Sequence, residues 1–123
     1  MHALIIEDQF LIAALIEDVL SGFGYTSFDV VDGESEAIRA AAARCPDLIT
    51  ADQRLAEGGG VEAVRIICAE RDIPVVFISE YGDQVRALAP EAVLIGKPFN
   101  ERIMRAAVDQ ASELVGRATA AAG

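Results

Sequence analysis

The chain is 123 residues long with a formal net charge of −10, and 53% of it is hydrophobic, much of that alanine. A single domain of this size buries a core without disulfide or metal staples, and its acidity argues against nucleic acid, whose phosphates are held by clustered Lys and Arg. No apolar run approaches the ~20 residues of a membrane span, and MHALIIEDQF turns acidic too early for a signal peptide, so a soluble cytoplasmic protein is expected.

Ala3 to Ile6 is an apolar run that stops at Glu7 and Asp8, the pattern of a fully buried parallel strand. From Phe10 to Ser21 apolar residues recur at helical spacing, with Leu11, Leu15 and Val19 on one row and Ile12, Ile16 and Leu20 beside it. Gly22 and Gly24 end that helix. Thr26 to Val31 is a weaker strand, followed by a helix over Glu34 to Arg44 with Asp32 as its expected N-cap and Cys45-Pro46 as its breaker. Leu48 to Ala51 is a third strand, and Val61 to Glu70 a third helix with Val61, Val64 and Cys68 inward.

Ile73 to Ile78 is the most strand-like run, β-branched and apolar on both faces. The thin segment Glu80 to Pro90 supports only a short helix. Ala92 to Ile95 makes a fifth strand, and Asn100 caps a last helix carrying Ile103, Ala107, Ala111 and Leu114 inward. Residues 118–123 are expected to fray. Strands alternating with helices, nearly all apolar throughout, predict an α/β domain with a parallel sheet covered on both faces. Cys45 and Cys68 lack metal-ligand spacing and are expected to be reduced, packing thiols.

The stretch Asp47 to Gly60 places Asp52 where a buried strand opens into a loop containing three consecutive glycines. Such a carboxylate is either a turn residue or a reactive group held at a site. Ligands of open α/β sheets bind outside the carboxyl ends of the strands. Those ends here carry Glu7 and Asp8, then Asp52, then Ser79, then Lys97, the one lysine among ten basic residues. Each has a plain structural reading: Asp8 as a helix cap, Asp52 and Ser79 as turn residues, Glu7 and Lys97 as solvated charges. Their joint occurrence at successive strand ends favours a site. Clustered carboxylates raise one another's pKa unless a cation sits among them. A hard divalent ion such as Mg²⁺ suits them, and lysine and serine suit phosphoryl oxygens.

In this order and spacing, Glu7-Asp8, Asp52, Gly60 eight residues later, Ser79 and Lys97-Pro98-Phe99 resemble the receiver domain of two-component response regulators. The resemblance covers nearly the whole chain. It implies a doubly wound, flavodoxin-like five-stranded sheet in the order 2-1-3-4-5 with five helices, formed by a single domain over residues 1–117 without an output domain. It implies that Asp52 is the phosphoacceptor, that Asp8 and Asp52 bind Mg²⁺ directly, Glu7 through water and Arg54 through its backbone carbonyl, and that Ser79 and Lys97 contact the phosphoryl group. The Lys97-Pro98 bond is expected to be cis. The implied partners are a histidine kinase or phosphotransfer protein and a downstream protein contacted through the last helix and fifth strand; acting as a phosphate sink is the other outcome. A monomer or weak homodimer that is not an enzyme is expected.

The pattern departs from the family at Ala56, where proline is usual, and at Leu94, where an aromatic commonly reports phosphorylation. Tyr81, two residues past Ser79, is the candidate to take over part of that aromatic's role. The alternative function is a pseudo-receiver acting as a phosphorylation-independent interaction module. A flavin- or nucleotide-binding protein would need a hydroxyl- or glycine-rich phosphate loop after the first strand, where Glu7-Asp8-Gln9-Phe10 stands instead.

Overall fold

Five short apolar runs pair as strands, and the segments between them coil as helices that cover both faces of the resulting sheet. In the computed structural model, backbone is described for residues 1–122 and side chains for residues 1–116. The elements are β1 His2–Ile6, α1 Phe10–Ser21, β2 Ser27–Val31, α2 Glu34–Ala43, β3 Leu48–Ala51, α3 Gly60–Ile67, β4 Val75–Ser79, α4 Gly82–Leu88, β5 Val93–Gly96 and α5 Glu101–Ala122. The sheet runs β2-β1-β3-β4-β5, every pairing parallel. This is the doubly wound order expected from the sequence. The expectation of fraying over 118–123 lies outside the described residues.

Alternation along the strands divides the core in two, because successive side chains leave opposite faces. Ala3 and Ile5 of β1 join Leu48, Val76, Ile78 and Val93 under α1 and α5, while Leu4 and Ile6 join Ile49, Ala51 and Phe77 under α2, α3 and α4. β1 and β3 are buried on both faces, as their unbroken apolar sequences require. The edge strand β2 is only partly covered.

The helix faces differ from expectation in instructive ways. Leu11 and Leu15 stay exposed, with Phe10, because α1 carries more apolar residues than one sheet-facing stripe can cover; Ala13, Ile16 and Leu20 fill that stripe. On α5 the buried set is Met104, Ala107, Val108 and Ala111, whereas Ile103 and Leu114 are exposed. The two alanines belong to both sets, but the helix is rotated toward Met104 and Val108, which meet the sheet. Asp32 does not cap α2: Gly33 holds the N-cap position and has no side chain to supply the bond. Asn100 does cap α5, its Oδ1 accepting the Ile103 N–H at 2.8 Å. Element ends move by one to three residues, the largest change being α3, which starts at Gly60 and ends at Ile67. Cys45 and Cys68 are unbridged. Among the described residues no helix is long and apolar enough to cross a membrane.

The rotation of α5 gives a direct comparison. Met104→Ala is expected to destabilise the fold by about 2–5 kcal/mol, the cost of a large-to-small change in a core. Ile103→Ala should cost under about 1 kcal/mol, as for a surface position. Urea denaturation of both variants measures the difference, and equal losses would contradict the packing described.

Candidate functional site

Parallel pairing sends all the strands the same way, so their carboxyl ends share one edge. The register sets Ile6 of β1 beside Ala51 of β3, which makes Glu7 and Asp52 neighbours one step beyond. Ladder bonds continue past both strands, from Glu7 N–H to the Val31 carbonyl at 2.9 Å and from Asp52 N–H to the Ile6 carbonyl at 3.0 Å. Ser79, the last residue of β4, pairs with Gly96 of β5, next to Lys97. Asp8 follows Glu7 and is exposed; it does not cap α1, whose N-cap position is Gln9.

The charges meet at close range. Lys97 Nζ lies 2.9 Å from Asp52 Oδ2 and 2.7 Å from Glu7 Oε1, with all three side chains buried. The Lys97–Glu7 contact is a buried ion pair at hydrogen-bonding distance. Glu7 Oε2 accepts the Gln9 N–H at 3.1 Å, and Asp52 Oδ1 accepts the Gln53 N–H at 2.7 Å. Burial pushes the Glu7 carboxyl above its ordinary pKa, and Lys97 and the Gln9 amide only partly pull it back. Burial acts to lower the Lys97 ammonium, but Glu7 and Asp52 outweigh it and the net shift is upward.

The loop after Asp52 is shaped by close approach. A Cβ on Gly60 would lie 1.9 Å from the Asp52 carbonyl oxygen, so only glycine fits there. Gly58 adopts φ +70, the left-handed region, and a side chain there would also strike Glu34. The loop is tied to α2 by reciprocal bonds: Glu57 Oε1 accepts the Ser35 N–H at 3.0 Å, and Glu34 Oε1 accepts the Gly59 N–H at 3.0 Å. Glu57 thus supplies the cap that Gly33 lacks. Sequence reasoning missed Gln9, Gln53, Glu34 and Glu57, because no local rule announces a cap from a distant loop.

Ser79 is buried, and its Oγ accepts the Tyr81 N–H at 2.9 Å, the turn geometry considered from the sequence. Tyr81 occupies the N-cap position of α4, and the Arg54 guanidinium stacks over its ring at 3.6 Å. That contact joins the loops following β3 and β4. Leu94 is partly buried and packs instead against the core beneath α2, α3 and α4. The Lys97-Pro98 peptide is cis.

One oxygen from each of Glu7, Asp8 and Asp52 lies within 4.8 Å of the others. Three carboxylates against one ammonium leave negative charge in excess. An all-oxygen donor set with room for water fits a hard divalent cation such as Mg²⁺.

Comparison with known proteins places this geometry. The model of the response regulator receiver domain family matches residues 3–109. The chain is 38% identical over 112 residues to the phyllosphere-induced regulator PhyR of Methylorubrum extorquens, covering 88% of this chain and 42% of that protein. The solution structure of the Erythrobacter litoralis PhyR receiver domain superposes with a TM-score of 0.80 at 32% identity, over 89% of this chain and 88% of that one. The crystal structure of the anti-anti-sigma factor PhyR from Bartonella quintana gives a TM-score of 0.84 at 31% identity, over 99% of this chain and 51% of that one. The chain therefore spans about half the length, or less, of the full PhyR proteins it matches.

Lys97→Met removes the counter-ion from two buried carboxylates and is expected to cost about 3 kcal/mol at neutral pH without divalent metal. A carboxyl whose folded pKa is raised binds its proton more readily in the folded state, so it favours folding more strongly as pH falls. Without Lys97 the Glu7 carboxyl rises further, and the loss shrinks as pH falls and it protonates. Chemical denaturation in a chelator across a falling pH series tests this, and a pH-independent loss would contradict it.

Proposed function

This chain belongs to the response regulator receiver domain family, and on that premise we propose that Asp52 accepts a phosphoryl group from a histidine kinase or phosphotransfer protein in two-component signalling. The carrying observation is the buried Asp52 carboxylate held between the Gln53 amide and the Lys97 ammonium, with Glu7 and Asp8 oxygens beside it. Asp8 and Asp52, Glu7 through water and the Arg54 backbone carbonyl are the residues to hold Mg²⁺, which supplies charge neutralisation for the phosphoryl oxygens.

Transfer makes one bond and breaks one. An Asp52 carboxylate oxygen bonds to phosphorus as the bond from phosphorus to the donor imidazole nitrogen breaks, the electron pair staying on nitrogen. Lys97, already 2.9 Å from the carboxylate, follows the incoming negative charge onto a phosphoryl oxygen. Ser79 accepts from Tyr81 N–H and so keeps its own proton to donate to a second phosphoryl oxygen. The chain is the acceptor in this chemistry, with no external substrate turned over.

The response reaches the surface through the loop after β4. A hydroxyl drawn toward phosphate changes its bond to the Tyr81 amide, and Tyr81 begins α4 and carries the Arg54 stack. Tyr81 thereby takes over part of the role of the aromatic that Leu94 replaces. The output is contact with a protein partner through β5 and α5, or drainage of phosphate from a relay. The Bartonella quintana protein with a similar receiver is an anti-anti-sigma factor, which makes a partner in sigma-factor control the first class to try.

Asp52→Ala is expected to abolish Mg²⁺-dependent labelling by acetyl phosphate. Persistent labelling would overturn the phosphoacceptor assignment, and a wild-type chain that takes no label would be a phosphorylation-independent module instead. For the switch, Tyr81→Ala should lose the amide-exchange changes that phosphorylation produces over α4 and β5; changes equal to wild type would sink the role given to Tyr81.

A further inference from the structure

Gln53, immediately after the phosphoacceptor, is held at every polar group it has. Its N–H donates to Asp52 Oδ1 at 2.7 Å, and its carbonyl accepts the Gly60 N–H at 3.2 Å. Its side-chain Oε1 accepts the Val61 N–H at 2.8 Å, and its Nε2 donates to the two Glu62 carboxylate oxygens at 3.1 and 3.3 Å. Residue 53 therefore closes the neck of the loop, fastening the chain just after Asp52 to the first turn of α3.

The helix needs such a partner, because its N-cap residue is Gly59 and the Val61 N–H has no cap from its own segment. The neck is also drawn tight in the backbone, where Gly60 sits against the Asp52 carbonyl. Asp52 has two donors of different stiffness. Oδ2 is bound by Lys97, a long flexible arm, whereas Oδ1 is bound by a backbone amide that is only as fixed as the peptide plane carrying it. The Gln53 side chain anchors the residue that shares that plane.

We propose that Gln53 is a positioning residue for phosphoryl transfer: by locking the loop neck to Val61 and Glu62, it holds its own N–H on Asp52 Oδ1 and so fixes the orientation of the attacking carboxylate. This rests on the phosphoacceptor role of Asp52. The competing role is a helix cap alone, which would contribute stability and leave the chemistry untouched.

The amide–carboxylate pair can be inverted. Gln53→Glu keeps an acceptor for Val61 N–H but sets a carboxylate against Glu62; adding Glu62→Gln restores a donor between them. Three variants of the full chain, Gln53→Ala, Gln53→Glu and Gln53→Glu with Glu62→Gln, are phosphorylated by acetyl phosphate at saturating Mg²⁺ while amide exchange at residue 53 is followed by NMR. Both single variants should be labelled about tenfold more slowly than wild type, the scale of a misplaced reacting group, with faster exchange at residue 53. The double variant should return to within about twofold of wild type, as coupled neighbours do. Wild-type labelling rates in Gln53→Ala, with only thermal stability and exchange altered, would overturn the proposal in favour of a cap. Failure of the double variant to recover would overturn the Glu62 contact as its means. A wild-type chain that takes no label fails the phosphoacceptor reading itself, an outcome separate from either.

Discussion

The ammonium of Lys97 between Glu7 and Asp52 is the interaction on which the carboxyl edge of this sheet depends. Parallel strands deliver their ends to one side whatever those ends carry, and here they carry three carboxylates. Removing an ion from water costs several kcal/mol even after relaxation, so carboxylates buried at such an edge call for a close counter-charge. Lys97 supplies it from beyond β5, reaching past β4 to strands β1 and β3. The tie is incomplete, since three carboxylates face one ammonium and the negative charge exceeds the positive. That deficit suits the edge to a further hard cation.

Much of this was legible in the sequence, for identifiable reasons. Ala3–Ile6 and Leu48–Ala51 are apolar at every position, which only a strand covered on both faces requires, and both are such strands. The convergence of Glu7, Asp52, Ser79 and Lys97 follows from strand direction alone once the sheet is known to be parallel. What the sequence did not carry was rotation and reach. Ile103 and Met104 are equally apolar neighbours, and only the seating of α5 on the sheet decides that Met104 goes inside. Asp32 satisfies the local rule for a cap, yet the bond comes from Glu57, across 22 residues of chain.

The two distant caps have one physical origin. Close packing on the Asp52 carbonyl demands glycine at 60, a Cβ at Gly59 would run into the ends of the Glu62 and Gln53 side chains, and Gly33 faces the Glu57 side chain at 3.3 Å from where its Cβ would be. Glycine at a helix N-cap leaves first-turn N–H groups without a local acceptor. Glu57 and Gln53 meet that demand from within the loop itself, so the segment bearing the acidic site is also the segment that begins both neighbouring helices. A shift in the loop is therefore felt at α2 and α3 without any further contact being needed.

The contacts after β4 differ in kind. Leu94 is partly buried against the core and has no polar end. The Arg54–Tyr81 stack, by contrast, lies at the surface with Tyr81 44% exposed, where a cation–π contact is worth about 0.5–1 kcal/mol. A single hydrogen bond contributes about 0.5–1.5 kcal/mol net, so the Ser79–Tyr81 bond and the Arg54–Tyr81 stack are of one energy scale, and both converge on the residue that begins α4. Leu94, apolar throughout, joins neither contact, so the loops after β3 and β4 are tied to each other at Tyr81 rather than through β5.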